Sequence, residues 1–167
     1  LTDQISDLLF TTEKAALANL VREGIDPGRV EFVGNVMIDT LYRNLERAVP
    51  ASRTLGAALP DYAVLTLHRP SNVDDPATLA ALLDVIGEIN RRLPVVVPLH
   101  PRTRGSIEKF GFTGRLDGMR VLPPLGYLEM LGLMRDARLV LTDSGGIQEE
   151  TTALGVPCLT LRDNTER

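Results

Sequence analysis

The sequence predicts an α/β chain built on a doubly wound parallel sheet, and three observations carry that prediction. Apolar runs of strand length recur along its 167 residues. Segments of helical period separate them. The runs are continuous and not alternating, which is the pattern of strands covered by helices on both faces. A hydrophobic content of 44% is enough for one ordinary globular core at this length.

In chain order, Leu8-Leu9-Phe10 is the first strand, and a helix over 13–23 follows. There Ala16, Leu17, Leu20 and Val21 share a face, Thr12 is placed to cap and Gly24 to stop. Residues 30–33 form a strand, broken by Gly34-Asn35 before an amphipathic stretch over 36–47. The Ala-rich, weakly patterned residues 50–60 read as linker. A buried-type strand covers 62–67, and Asp75 caps a long helix to about residue 93, with Pro76 in its first turn. Strands over 94–99, 120–122, 138–142 and 157–161 then alternate with helices over 104–110, 127–135 and 146–154.

Composition excludes several classes of function. A net charge of −4 argues against general nucleic-acid binding, which depends on neutralising phosphates. Aromatics at 4%, with no Trp, offer little to stack bases on. No apolar run is long enough to span a membrane. The single Cys158 sits in an apolar run and cannot build a disulfide framework. One Cys and two distant His give no zinc-ligand spacing, so no metal and no cofactor are expected. The chain opens on Leu1 without a secretory pattern, and the expectation is a piece of a longer cytoplasmic protein.

Ligands of open α/β sheets bind beyond the carboxyl ends of the strands. His68-Arg69, His100-Pro101-Arg102, Asp143-Ser144-Gly145-Gly146 and Arg162 onward all fall there, so both histidines and four arginines gather at strand ends. The expectation is that His68, His100, Ser144 and Arg162 share one rim. Ser144-Gly145-Gly146 joins a buried strand to a helix, and such an N-terminus offers unpaired N–H groups and partial positive charge to a phosphate. Glu150 returns one turn later to the same face, where a carboxylate suits the paired hydroxyls of a ribose. A plain Gly-rich turn with an acidic first turn fits the same spacing. Arg69 has the bidentate geometry that phosphates match, but a capping His68 and a surface Arg69 fit equally. For His100 a structural role at the strand end is the plainer reading.

Several stretches taken together resemble one family, the non-hydrolysing UDP-N-acetylglucosamine 2-epimerases. They are Phe32-Val33-Gly34-Asn35 with Ile38-Asp39, Leu67-His68-Arg69-Pro70, Pro98-Leu99-His100-Pro101 and Pro124-Leu125-Gly126-Tyr127. The most specific runs from Thr142 through Ser144-Gly145-Gly146-Ile147-Gln148-Glu149-Glu150, and continues to Leu154-Gly155-Val156-Pro157 and Arg162-Asp163-Asn164-Thr165-Glu166-Arg167. The resemblance implies a Rossmann-like half of a two-domain, glycosyltransferase-B-like enzyme. Residues 1–34 would be a lead-in from the first domain, and 35–167 a UDP-binding C-terminal domain truncated at its end.

The activity it implies is interconversion of UDP-N-acetylglucosamine and UDP-N-acetylmannosamine, by loss of the C2 proton with expulsion of UDP and re-addition with C2 inverted. Position by position, the resemblance implies that His68 assists UDP departure and that Ser144, Gly145 and Gly146 hold the diphosphate. It gives Glu150 the ribose, Leu125 and Met130 the uracil, and Arg167 the nucleotide. Arg69 and His100 match an adjacent regulatory site, whereas Ser71 departs from the Glu found in many members. The C2 acid and base would come from the first domain, and a homodimer is expected of the complete enzyme. A glycosyltransferase of the same architecture, or a non-catalytic nucleotide-sugar-binding module, are the alternatives.

Overall fold

The computed structural model of the protein describes residues 1–163. It divides into two compact units, Leu1–Arg43 and Asn44–Arg167. In the first, the short helix α1 (Thr2–Ile5) precedes strand β1 (Leu9–Thr11), helix α2 (Ala15–Arg22) and strand β2 (Val30–Phe32). The two strands pair in parallel, with Leu9 opposite Val30 and Thr11 opposite Phe32. Helix α3 (Val36–Asn44) follows, and the first unit ends in its last turn. Thr12 does not cap α2: Lys14 holds the N-cap position, with no side-chain bond. Three residues separate β1 from the helix, so the chain has already turned before Thr12 could reach an open N–H.

The second unit continues with helix α4 (Ala51–Leu55), strand β3 (Ala63–Thr66), the short helix α5 (Pro70–Val73), helix α6 (Pro76–Asn90) and strand β4 (Val95–Pro98). After these come helix α7 (Pro101–Phe110), strand β5 (Arg120–Leu122), helix α8 (Tyr127–Arg135), strand β6 (Leu139–Thr142), helix α9 (Gly145–Leu154) and strand β7 (Cys158–Thr160). All strand pairs are parallel, in the order β5-β4-β3-β6-β7. Alternate residues of β3 enter opposite layers. Ala63 and Leu65 join Leu79, Leu83 and Ile86 of α6 and Ile107 of α7. Val64 joins Leu55 of α4 and Leu133 and Met134 of α8. Helices therefore cover both faces, which explains why the strands read as unbroken apolar runs. No helix among the described residues is long and apolar enough to cross a membrane.

Residues 50–60 are not all linker, because Ala51–Leu55 is the helix α4. It is buried at Ala51 and Leu55 and tied at both ends. The Ala51 N–H donates to Asp136 Oδ2 at 3.1 Å, and the Arg120 guanidinium donates to the Leu55 carbonyl. Asp75 caps α6 as expected, its carboxylate accepting the Thr78 N–H at 2.7 Å.

Candidate functional site

The chain fills one side of the sheet from β3 through β4 to β5, then returns to place β6 and β7 on the other side. The direction of winding thus reverses between β3 and β6, and the crevice beyond their carboxyl ends is the natural ligand position. The two strands run in register to their last residues, Thr66 opposite Thr142. Their hydroxyls meet at 2.6 Å, and the Ser144 N–H donates to Thr142 Oγ1 at 3.0 Å. These bonds fix where each chain leaves the sheet.

Asp143, the first residue beyond β6, is fully buried. Its carboxylate accepts the His68 N–H at 3.0 Å, the Arg69 N–H at 2.8 Å and the Asn72 side-chain amide at 3.1 Å. The His68 ring lies against it as well, Nδ1 standing 2.8 Å from Oδ1. Asn72 also donates to the Leu161 carbonyl at 2.8 Å, so the ends of β3, β6 and β7 are joined through one pair of side chains. Nothing in the spacing of the sequence assigns Asp143 or Asn72 this part.

Ser144 is the N-cap of α9, its hydroxyl accepting the Ile147 N–H at 3.5 Å. Gly145 and Gly146 are the first two helical residues. Their N–H groups have no carbonyl one turn back and leave through the open end of the helix. Ser144 and His68 share the wall of a cavity of about 350 Å³ with His100, Leu125, Met130 and Ile147. The cavity wall thus combines an imidazole and the residue that opens a helix with apolar side chains, the two kinds of surface that a phosphorylated ligand with a flat apolar group requires. His100 caps α7, its Nδ1 accepting the Arg102 N–H at 3.2 Å, and its ring centre is 5.6 Å from that of His68.

Arg69 faces elsewhere. Its Nε donates to the Asp143 carbonyl at 3.3 Å, and it borders a more polar cavity of about 450 Å³ with Ser71, Thr78 and Arg162. Arg69 and His100, paired by the resemblance, thus line different cavities. Arg167 lies outside the described residues. Among the described residues, no group of three His, Cys, Asp or Glu side chains is placed to hold a metal ion.

Glu150 is buried, unlike a solvated first-turn acid. Burial pushes its carboxyl above the ordinary value, and a hydrogen bond from the Tyr127 hydroxyl partly offsets this. Tyr127 itself is pushed up to about 12, by burial first and then by the Glu150 charge. A raised carboxyl favours the protonated folded chain, so this contribution is full below the ordinary value and is lost as pH rises through the raised one. Glu150→Gln is therefore expected to unfold at a higher temperature than wild type at pH 7. The advantage should shrink toward zero as the pH is lowered to about 4, near the ordinary carboxyl value. Thermal unfolding across that range checks it.

The sequence profile described as UDP-N-acetylglucosamine 2-epimerase matches residues 1–167. The chain belongs to the UDP-N-acetylglucosamine 2-epimerase family. The UDP-N-acetylglucosamine 2-epimerase of Methanocaldococcus jannaschii is 41% identical over 100% of this chain and 48% of its own length. The UDP-2,3-diacetamido-2,3-dideoxy-D-glucuronate 2-epimerase of Pseudomonas aeruginosa is 45% identical over 99% of this chain and 46% of its own. A crystal structure of the M. jannaschii epimerase in complex with UDP-GlcNAc and UDP superposes with a TM-score of 0.90 at 40% identity, covering 100% of this chain and 48% of that one. The chain thus spans about half the length of the relatives it matches.

Proposed function

We propose that the protein to which this chain contributes interconverts UDP-N-acetylglucosamine and UDP-N-acetylmannosamine, and that residues from 35 onward hold the UDP. The observation that carries this is the meeting of His68, the Ser144 turn, Leu125 and Met130 on one cavity wall at the point where the sheet reverses. Family membership supplies the reaction class. The Gly145 and Gly146 N–H groups and the Ser144 hydroxyl would take the diphosphate, Leu125 and Met130 the uracil, and Glu150 the ribose.

In the proposed reaction a base on the other half of the enzyme takes the C2 proton. The C1–O bond to UDP breaks, its electron pair leaves with the diphosphate, and a C1–C2 double bond forms. UDP then adds back at C1 as a proton reaches the opposite face of C2. Developing charge on the diphosphate is met by fixed N–H dipoles and by His68, which is the role such groups play best in a water-poor crevice. A cytoplasmic homodimer without nucleic acid or membrane partners belongs to the same proposal. In deuterated water the complete protein should place deuterium at C2 of UDP-N-acetylglucosamine. A folded protein that incorporates none and forms no UDP-N-acetylmannosamine would overturn the reading.

One observation favours a second substrate for the same chemistry, the 45% identity to the glucuronate-type epimerase. A glucuronate adds a carboxylate, and Arg69 and Arg162 border the cavity beside the first. Guanidinium groups match carboxylates bidentately. The same deuterium assay on both sugars separates them by relative kcat/KM.

A further inference from the structure

We infer that Asp143 is the positioning residue of His68, holding its ring in one tautomer and fixing it relative to the turn that receives the diphosphate. The inference rests on the reading of His68 given above and adds to it a residue, Asp143, with a role in the same step.

Three features lead there. The first is burial: a carboxylate with no exposed surface keeps its place in the fold only if its oxygens are satisfied. Four N–H donors do so, and two of them belong to His68, its main-chain N–H at 3.0 Å and its ring Nδ1 at 2.8 Å. The others, from Arg69 and Asn72, pin the turn that carries the ring. Ring and backbone of His68 are thus held by the same carboxylate.

The second feature is direction. A carboxylate accepts, so the ring nitrogen facing it carries the proton. Nδ1 is committed to the buried side, and the nitrogen left for the 350 Å³ cavity that His68 lines is Nε2. The Nδ1–H ring leaves a lone pair on Nε2. Once Nε2 has taken a proton, the imidazolium gives that proton to the departing diphosphate and returns to the Nδ1–H tautomer. It takes the proton back in the reverse step, without turning the ring. The Nδ1–H stays on Asp143 throughout, and the imidazolium formed in one direction is stabilised by the charge beside it. Asp143 touches neither substrate nor reacting atoms.

The third feature is adjacency. Asp143 is followed directly by Ser144, whose hydroxyl caps α9. Its own N–H donates to the Thr66 carbonyl at 3.4 Å, and its carbonyl accepts from Arg69 Nε at 3.3 Å. One residue therefore sets the imidazole on one side and the N-terminus of α9 on the other. The separation between proton donor and phosphate cradle is built into a single buried position.

The test compares wild type, Asp143→Asn, His68→Gln and the double variant in the complete enzyme. An amide offers an N–H where the ring needs an acceptor, so Asp143→Asn should turn the ring or reverse its tautomer. Positioned acid–base groups contribute about 100-fold to 10,000-fold. The expected result is a kcat at least ~100-fold lower, with UDP affinity within ~3-fold, and little further loss in the His68→Gln background. Nitrogen NMR of histidine-labelled protein, with His68→Gln to identify the signal, should show the Nδ1–H tautomer in wild type and its loss in Asp143→Asn.

A kcat retained within ~3-fold, or losses that multiply in the double variant, would overturn the inference. So would an Nε2–H tautomer in wild type, a measurement that needs no variant to fold. If wild type epimerises neither sugar yet shows the Nδ1–H tautomer that Asp143→Asn abolishes, the reading of the reaction fails while the positioning stands.

Discussion

Gly146→Val should leave the chain folded and cut its affinity for UDP by at least ~100-fold, while its affinity for uridine changes little. Gly146 is the second residue of α9, at the mouth of a helix whose first N–H groups have no partner behind them. A phosphate oxygen must come within hydrogen-bonding distance of that backbone, and a branched side chain at the mouth holds it off. Each hydrogen bond to a charged group contributes about 1.5–3 kcal/mol, so losing two gives the expected factor. Uridine carries the base and ribose without the diphosphate. It should still meet Leu125 and Met130 in the cavity and Glu150 on the same helix. Calorimetric titration of both ligands, with circular dichroism as the folding control, separates loss of phosphate contact from general damage. Unchanged UDP affinity in the folded variant would place the diphosphate elsewhere, and equal losses for UDP and uridine would show damage to the whole site.

That the turn could be picked out at all reflects which signals are local. Val64, Leu65, Val96 and Leu141 lie in strands buried on both faces, and burial of that kind is written directly as unbroken apolar runs. The Asp75 cap depends on a residue three positions away, so type and spacing suffice. Residues 51–55 failed to show as helix because α4 is short and held by Asp136 and Arg120, 85 and 65 residues away. The same holds for the site. Asp143 sits in plain view within the motif, yet its meaning depends on His68, 75 positions earlier, and no periodicity connects them. One signal was available: a carboxylate directly after a buried strand and directly before an N-cap must find N–H donors from a neighbouring strand end. Tyr127 and Glu150 are a second case, joined by packing of α8 beside α9 and by nothing in the spacing. Sheet order, too, had to come from the structure, and with it the fact that Arg69 and His100 line different cavities.

The same substitution at two helical glycines should have opposite effects. In α6, Gly87 has open space where a Cβ would stand. Alanine is favoured over glycine in a helix interior by about 1 kcal/mol, so Gly87→Ala should stabilise by up to that amount. In α8, a Cβ on Gly132 would stand 1.7 Å from the Val49 carbonyl oxygen and 2.8 Å from its carbon. Both are backbone atoms, so no rotamer change relieves the overlap. Nor can residue 49 retreat freely, since its N–H donates to the Leu128 carbonyl at 3.0 Å while the Ala51 N–H donates to Asp136 at 3.1 Å. The segment is thus tied just before and just after Gly132. The helix must move instead, and with it Leu131, Leu133 and Met134, all fully buried. Overpacking typically costs 1–3 kcal/mol and occasionally more, and a clash with fixed backbone belongs at the upper end. Gly132→Ala should therefore destabilise by about 3 kcal/mol despite its better helix propensity. Met130 rides on the same helix and lines the cavity, so UDP affinity should fall as well. Urea unfolding of the two variants checks the sign. A stabilised Gly132→Ala would show that α8 does not approach residue 49 this closely.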